Sequence, residues 1–221
     1  MRQGVARMEG FTASLRRRNR MIIRLGKSGQ AEEAIQVFSR MKQRNVVTYN
    51  SMISVLAKSG RVIEARKLFD IMPSRNIVSW NTMISGYLHS NMVKAAYEFF
   101  METPQKDLYS WTLMITCFTR SKNLDKARQV FEALPLCYKR DAACWNAMIA
   151  GYSKEGRFTD ARKMFDTMPV RNLTSWNSLL AGYTRNGEMR LALDLFEEMN
   201  DRDESSWTLI VDGFLSLGDV D

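Results

Sequence analysis

The sequence predicts an all-α chain, a right-handed α-solenoid of tandem helix-turn-helix repeats. Three observations predict it: a self-similarity of thirty-one residues, helical spacing of apolar residues within each unit, and glycine and proline at fixed places between them. Val46 to Asn76 reads VVTYNSMISVLAKSGRVIEARKLFDIMPSRN, and IVSWNTMISGYLHSNMVKAAYEFFMETPQKD follows from Ile77. The register divides the chain into residues 15–45, 46–76, 77–107, 108–141, 142–172 and 173–203, with a partial seventh unit at 204–221 and a leader at 1–14. The seventh unit stops just inside its second helix, so the chain is expected to be a piece, or a truncated product, of something longer.

Within a unit, Trp80, Met83, Ile84 and Tyr87 fall at i, i+3, i+4 and i+7, the stripe of a first helix, and Trp145, Met148, Ile149 and Tyr152 repeat it. The fourth place holds Tyr49 and then all five tryptophans, from Trp80 to Trp207; Arg18 stands there in the first unit, as suits a solvent-facing terminal repeat. Gly29, Gly60, Gly156, Gly187 and Gly218 share the place of a left-handed residue closing a helix; Asn91, which tolerates that geometry, replaces it in the third unit, and Lys122 is a departure in the fourth. A second helix follows, marked by Ala34, Ala65, Ala96, Ala127, Ala161 and Ala192 and, four residues on, by Phe38, Phe69, Phe100, Phe131, Phe165 and Phe196. A small residue admits close approach of two helices, and the phenylalanine fills the space between units. The four prolines, Pro73, Pro104, Pro135 and Pro169, stand where the second helix must stop. The fourth unit has three extra residues after Pro135, expected in a loop that leaves the stack intact.

Net charge is +8 and the pI about 9.5, a balance that favours polyanionic partners. No apolar run approaches the roughly 20 residues of a membrane span, so a soluble chain without membrane contact is expected. Cys117, Cys137 and Cys144 form no CxxC pair, and His89 has no second histidine or HxE beside it. Neither a disulfide framework nor a metal or other cofactor is therefore expected. Arg2, Arg7, Arg16, Arg17, Arg18 and Arg20 face one acid, Glu9, in the first twenty residues. Two readings stand: part of an organellar transit segment, or a short leader running into the first repeat.

Three further rows recur. The fifth place holds Asn19, Asn50, Asn81, Thr112, Asn146, Asn177 and Thr208. The ninth is mostly small, from Ser54 and Ser85 to Ala150 and Ala181. The thirteenth holds Lys27, Lys58, His89, Arg120, Lys154, Arg185 and Ser216. A spacing of four puts all three on one side of the first helix, with the cation about 12 Å along from the amide. That layout suits a single RNA strand, bases toward the amides and phosphates toward Lys27, Lys58, Arg120, Lys154 and Arg185. Solvated helix ends and local capping would account for either row alone.

The consensus VVSWNxMIxGYxxxGxxxxARxLFxxMPxRN resembles the pentatricopeptide repeat family, particularly its short S-type motifs of 31 residues in PLS-class plant organellar proteins. The resemblance runs from Leu15 to Asp221. The tetratricopeptide repeat, a 34-residue helix pair with similar spacing, is the neighbouring alternative and implies a protein-interaction scaffold. The pentatricopeptide resemblance implies sequence-selective binding of single-stranded RNA, one base per repeat, read by the fifth and the last residue. The last residues are Asn45, Asn76, Asp107, Asp141, Asn172 and Asp203. An ionised Asp only accepts hydrogen bonds and so suits the ring N–H of uracil or guanine, whereas Asn can donate to cytosine. Asn19 with Asn45, Asn50 with Asn76 and Asn146 with Asn172 are expected to prefer C, with U tolerated. Asn81 with Asp107 and Asn177 with Asp203 should prefer U, Thr112 with Asp141 G, and Thr208 a purine. The implied site is 5′-YYUGYU. The family sandwiches bases between second-place side chains; Val47 and Val78 fit, while Arg16, Tyr109, Ala143, Thr174 and Ser205 depart, which implies modest affinity. The resemblance further implies organellar RNA maturation, in a mitochondrion or alternatively a chloroplast, with editing or processing factors as partners and no small-molecule substrate. C-to-U editing factors of this kind carry a deaminase-like extension with HxE and CxxC motifs. This chain has neither, and no enzymatic activity is expected of it.

Overall fold

A computed structural model describes residues 2–218 of the chain, those before residue 14 by backbone alone. The expected leader, residues 1–14, thus lies almost wholly outside the described side chains. Among the described residues there are thirteen helices and no strand. They fall into two compact units, residues 1–110 and 111–221.

The first unit contains α1 (Arg2–Lys27), α2 (Ala31–Ser39), α3 (Val46–Lys58), α4 (Val62–Asp70), α5 (Ile77–His89), α6 (Val93–Glu102) and the first turn of α7 (Leu108–Arg120). The second contains the rest of α7, then α8 (Leu124–Glu132), α9 (Ala142–Lys154), α10 (Phe158–Thr167), α11 (Leu173–Arg185), α12 (Met189–Glu198) and α13 (Glu204–Gly218). In the first unit α1 packs on α2 and α3, and α3 on α4 and α5; in the second α9 packs on α10 and α11, and α11 on α12 and α13. The architecture is an all-α repeat solenoid. α13 continues through Gly218, so that glycine closes no helix within the described residues.

The helices start where their caps allow. Asn45, Asn76 and Asn172 each accept from the backbone N–H three residues on, while Thr48, Ser79 and Ser175 return a hydroxyl to the cap's own N–H. Such reciprocal boxes satisfy two of the free donors at a helix start. Helices end at left-handed residues: φ is 80° at Gly60 and 69° at Gly156, and also 58° at Asn91 and 61° at Lys122. Lys122 holds this geometry against its Cβ, at a cost of about 1 kcal/mol.

Repeats are joined by edge-on ring pairs. Phe69 meets Trp80 at 5.0 Å, Phe165 meets Trp176 at 4.7 Å, and Phe196 meets Trp207 at 4.8 Å between centroids. The six second-helix alanines are fully buried. A cation just before the last residue closes each of these units. Arg75, Arg171 and Arg202 donate from Nε to the carbonyls of Phe69, Phe165 and Phe196 and lie 4.8–4.9 Å over the same rings. The three added residues of the fourth unit form turns between α8 and α9, and Trp145 donates from its indole to the Lys139 carbonyl at 2.8 Å. Phe131 and Trp145 still pack edge-on, so the stack survives the insertion.

Candidate nucleic-acid interface

First helices of successive repeats leave grooves between them, and the recurring rows line these grooves. One, of about 320 Å³, lies between α1, α3 and α5, with Val47 and Val78 at its sides, Asn50 within and Lys27 and Lys58 at its rim. A second, of about 580 Å³, has Val78 and Tyr109 at its sides, Asn81 and Asp107 on its floor, and Lys58 and His89 at its rim. In the second unit a groove of about 610 Å³ has Thr174 and Ser205 at its sides, with Asn177, Arg185 and Thr208 lining it. Val47, Val78 and Tyr109 are 54%, 53% and 59% exposed, so their apolar surfaces face the grooves they line.

The fifth and last residues are hydrogen-bonded to each other in the first, third and sixth repeats. Asn81 donates from Nδ2 to Asp107 at 3.1 Å, Asn177 to Asp203 at 3.0 Å, and Asn19 to Asn45 at 3.5 Å. The fifth amides sit deeper than a surface row would: Asn19 and Asn81 are only 6% and 7% exposed. The small ninth-place residues Ser54, Ser85, Ala150 and Ala181 line the same grooves and leave them open. Thr112 lies with its hydroxyl 3.2 Å from the Cys144 sulfur, while Asp141 accepts from the Ala143 N–H at 2.8 Å. Asn146 is half-buried on α9 and Asn172 is exposed at the cap of α11. Arg120 and Lys154 are exposed at the ends of α7 and α9 but line none of these three grooves.

Every last residue is also a helix cap. Asp107 and Asp203 accept from the Ser110 and Ser206 backbone N–H, as the asparagines and Asp141 do in their own repeats. The restriction to Asn and Asp therefore has a structural cause beside any binding role. At Asp203 the Ser206 N–H and then the Asn177 amide hold the carboxyl below its usual range. The thiols of Cys117 and Cys144 are pushed up by burial.

Two features escaped sequence reasoning. Tyr109 forms a groove wall, despite departing from the aliphatic pattern. The penultimate cations serve helix ends rather than any groove, and the MPxRN spacing held that signal.

A protein-family model for the PPR repeat matches residues 19–46, 47–77, 78–108, 109–135, 143–173 and 174–203. The chain belongs to the pentatricopeptide repeat family. This decides between the two helix-pair families that spacing alone left open. No curated protein matches the chain significantly. The fold is similar to the crystal structure of the pentatricopeptide repeat protein PPR10 from maize, with TM-score 0.67 and 17% identity over 93% of this chain and 34% of that one. It is similar also to PPR10 in complex with an 18-nt psaJ RNA element, with TM-score 0.68 and 20% identity over 96% of this chain and 35% of that one. The pentatricopeptide chain thus spans about a third of the length of the structures it matches.

Proposed function

We propose that the chain binds single-stranded RNA selectively, one nucleotide to a groove, with no catalytic step of its own. One observation carries this reading: second-place walls, a fifth-and-last floor and a thirteenth-place cation come together in a single groove, as at Val78, Tyr109, Asn81, Asp107 and Lys58, with His89 beside them. A base enters edge-first between the two walls, which supply apolar faces for it to stack on. Its Watson–Crick edge meets the amide and the last residue, and its phosphate lies toward the cations. PPR10, similar in fold, is known in complex with RNA.

The pairs Asn19–Asn45, Asn50–Asn76, Asn81–Asp107, Thr112–Asp141, Asn146–Asn172 and Asn177–Asp203 then read 5′-YYUGYU in chain order. Lys27, Lys58, Arg120, Lys154 and Arg185 hold the phosphates. As an S-type array, the chain would serve transcript maturation in a mitochondrion or chloroplast, such as recognition for C-to-U editing. The test is filter binding of a 5′-YYUGYU oligomer against its complement at one stated salt concentration. Tighter binding of the oligomer is expected. Equal binding of both would reduce the chain to an unselective cationic surface.

A further inference from the structure

The third place of each following repeat holds a small, buried side chain beside the reading pair. These residues are Thr48, Ser79, Ser110, Cys144, Ser175 and Ser206, and all six are fully buried. Burial alone would favour Ala or Val at such a place. Helix capping accounts for the hydroxyls of Thr48, Ser79 and Ser175, and at Thr48 a second contact is added.

The first repeat shows the contact in full. The Thr48 hydroxyl lies 2.8 Å from Asn19 Oδ1 and 2.9 Å from Asn45 Oδ1. It has one proton to give. Asn45 Oδ1 already accepts from the Thr48 backbone N–H at 2.9 Å, whereas no other donor to Asn19 Oδ1 is seen among the described residues. The proton therefore belongs on Asn19. That bond turns the carbonyl end of the amide inward and its N–H end toward Asn45, to which Asn19 Nδ2 donates at 3.5 Å.

The other fifth-place asparagines take the same orientation. Asn50, Asn81, Asn146 and Asn177 all hold Oδ1 buried and, among the described residues, without a donor. The third-place serines meanwhile give their proton to the last residue: Ser79 to Asn76 at 3.1 Å, Ser175 to Asn172 at 2.9 Å, Ser206 to Asp203 at 2.8 Å. Ser79 and Ser175 make the same cap contacts as Thr48 yet reach no fifth-place carbonyl, so the hydroxyl–amide bond belongs to the first pair alone among the described residues. The fourth repeat differs at both ends together. Its fifth residue is Thr112, with no amide to orient, and its closing residue is Cys144, whose sulfur lies 3.2 Å from the Thr112 hydroxyl. Asp141, without a hydroxyl behind it, turns instead to the Ala143 N–H.

We infer that Thr48 is a positioning residue that sets base selectivity at the first pair, by holding the Asn19 amide so that it can only donate to a base. It touches no base itself. This rests on the one-nucleotide reading above, and adds to it a third residue behind the first pair. Loss of the hydroxyl frees the amide to turn over, accept as well as donate, and take U as readily as C.

The test is Thr48→Val, which keeps the branched shape and removes the hydroxyl, with Thr48→Ser as the conservative control. Both are measured with the unmodified chain against oligomers carrying C or U at the first base, and again at the second base. Folding is checked by circular dichroism. The unmodified chain should favour C at the first base by roughly tenfold, the ratio that one discriminating hydrogen bond supplies. Thr48→Val should bring that ratio close to unity and leave the second base unchanged, while Thr48→Ser retains it. A merely structural role would lower melting temperature and all affinities together, with the ratio intact; that result overturns the inference. Absence of any first-base preference in the unmodified chain overturns the one-nucleotide reading, and the inference with it.

Discussion

Asn81 donates from Nδ2 to both carboxylate oxygens of Asp107, at 3.1 and 3.3 Å, across twenty-six positions of sequence. The two residues form one unit before any ligand arrives, and each fixes the other's rotamer in the groove between Val78 and Tyr109. Truncating either should therefore disable both. On an oligomer with U at the third base, Asn81→Ala and Asp107→Ala should each cost about 1–2 kcal/mol of binding, and the double variant scarcely more than the worse single. Fluorescence anisotropy on the four proteins checks this; additive losses would mean that the side chains act separately.

The rim should behave differently. Lys58 is exposed at the end of α3 and lines two grooves, with no base edge to discriminate. Lys58→Ala is expected to weaken every oligomer by a similar factor and to lower the slope of log K against log salt by roughly 0.7, one phosphate contact on a single strand. Titrations at several salt concentrations measure both.

Much of this was legible in the residues because repetition averages out accidents. Seven copies of one pattern place Trp80 against Phe69 and Gly60 in a left-handed turn without reference to coordinates. The groove rows were legible too, since a spacing of four is enough to align Asn50, Ser54 and Lys58. What periodicity could not give was depth. Nothing in the repeat pattern singles out Thr48 and Ser79, whose full burial depends on how closely successive first helices approach. Likewise the last-place Asn and Asp residues read as base selectors, while their capping of the next helix appears only once the helix start is located.

That close approach has its own signature. A Cβ on Gly182 would fall 2.3 Å from the Ser153 Cβ, and one on Gly26 2.3 Å from a Val55 methyl. Here the small and large partners exchange sides, the tenth place being glycine in one pair and valine in the other. Gly182→Ala should cost about 1–3 kcal/mol through overpacking. Adding Ser153→Gly should restore most of that loss, since it removes the clash and also a buried hydroxyl that lacks a partner among the described residues. Urea denaturation of the single and double variants gives the coupling; no rescue would place the strain elsewhere.

Acid should expose the caps. The Asp203 carboxyl is held below its ordinary range by the Ser206 N–H first and the Asn177 amide next. A depressed folded-state pKa gives stability that is present above the unfolded value of about 3.9 and is lost as pH falls through the folded one. Asp203→Asn can still cap but cannot titrate. The stability difference between the unmodified chain and Asp203→Asn should hold steady above about pH 5 and shift against the unmodified chain below about pH 4. Thermal melts across that range decide it; a difference independent of pH would remove the carboxylate's special stabilisation.

The most direct measurement is made on Asp107. An ionised carboxylate there accepts from the ring N–H of uracil, whereas an asparagine at that place can donate to the ring nitrogen of cytosine. Asp107→Asn keeps the helix cap and changes little else. Binding should be measured for the unmodified chain and the variant on four oligomers that differ only at the third base. The expected result is a preference for U that becomes a preference for C, with the other five bases read as before. An unchanged preference, or a uniform loss on all four oligomers, would contradict base reading by the fifth and last residues.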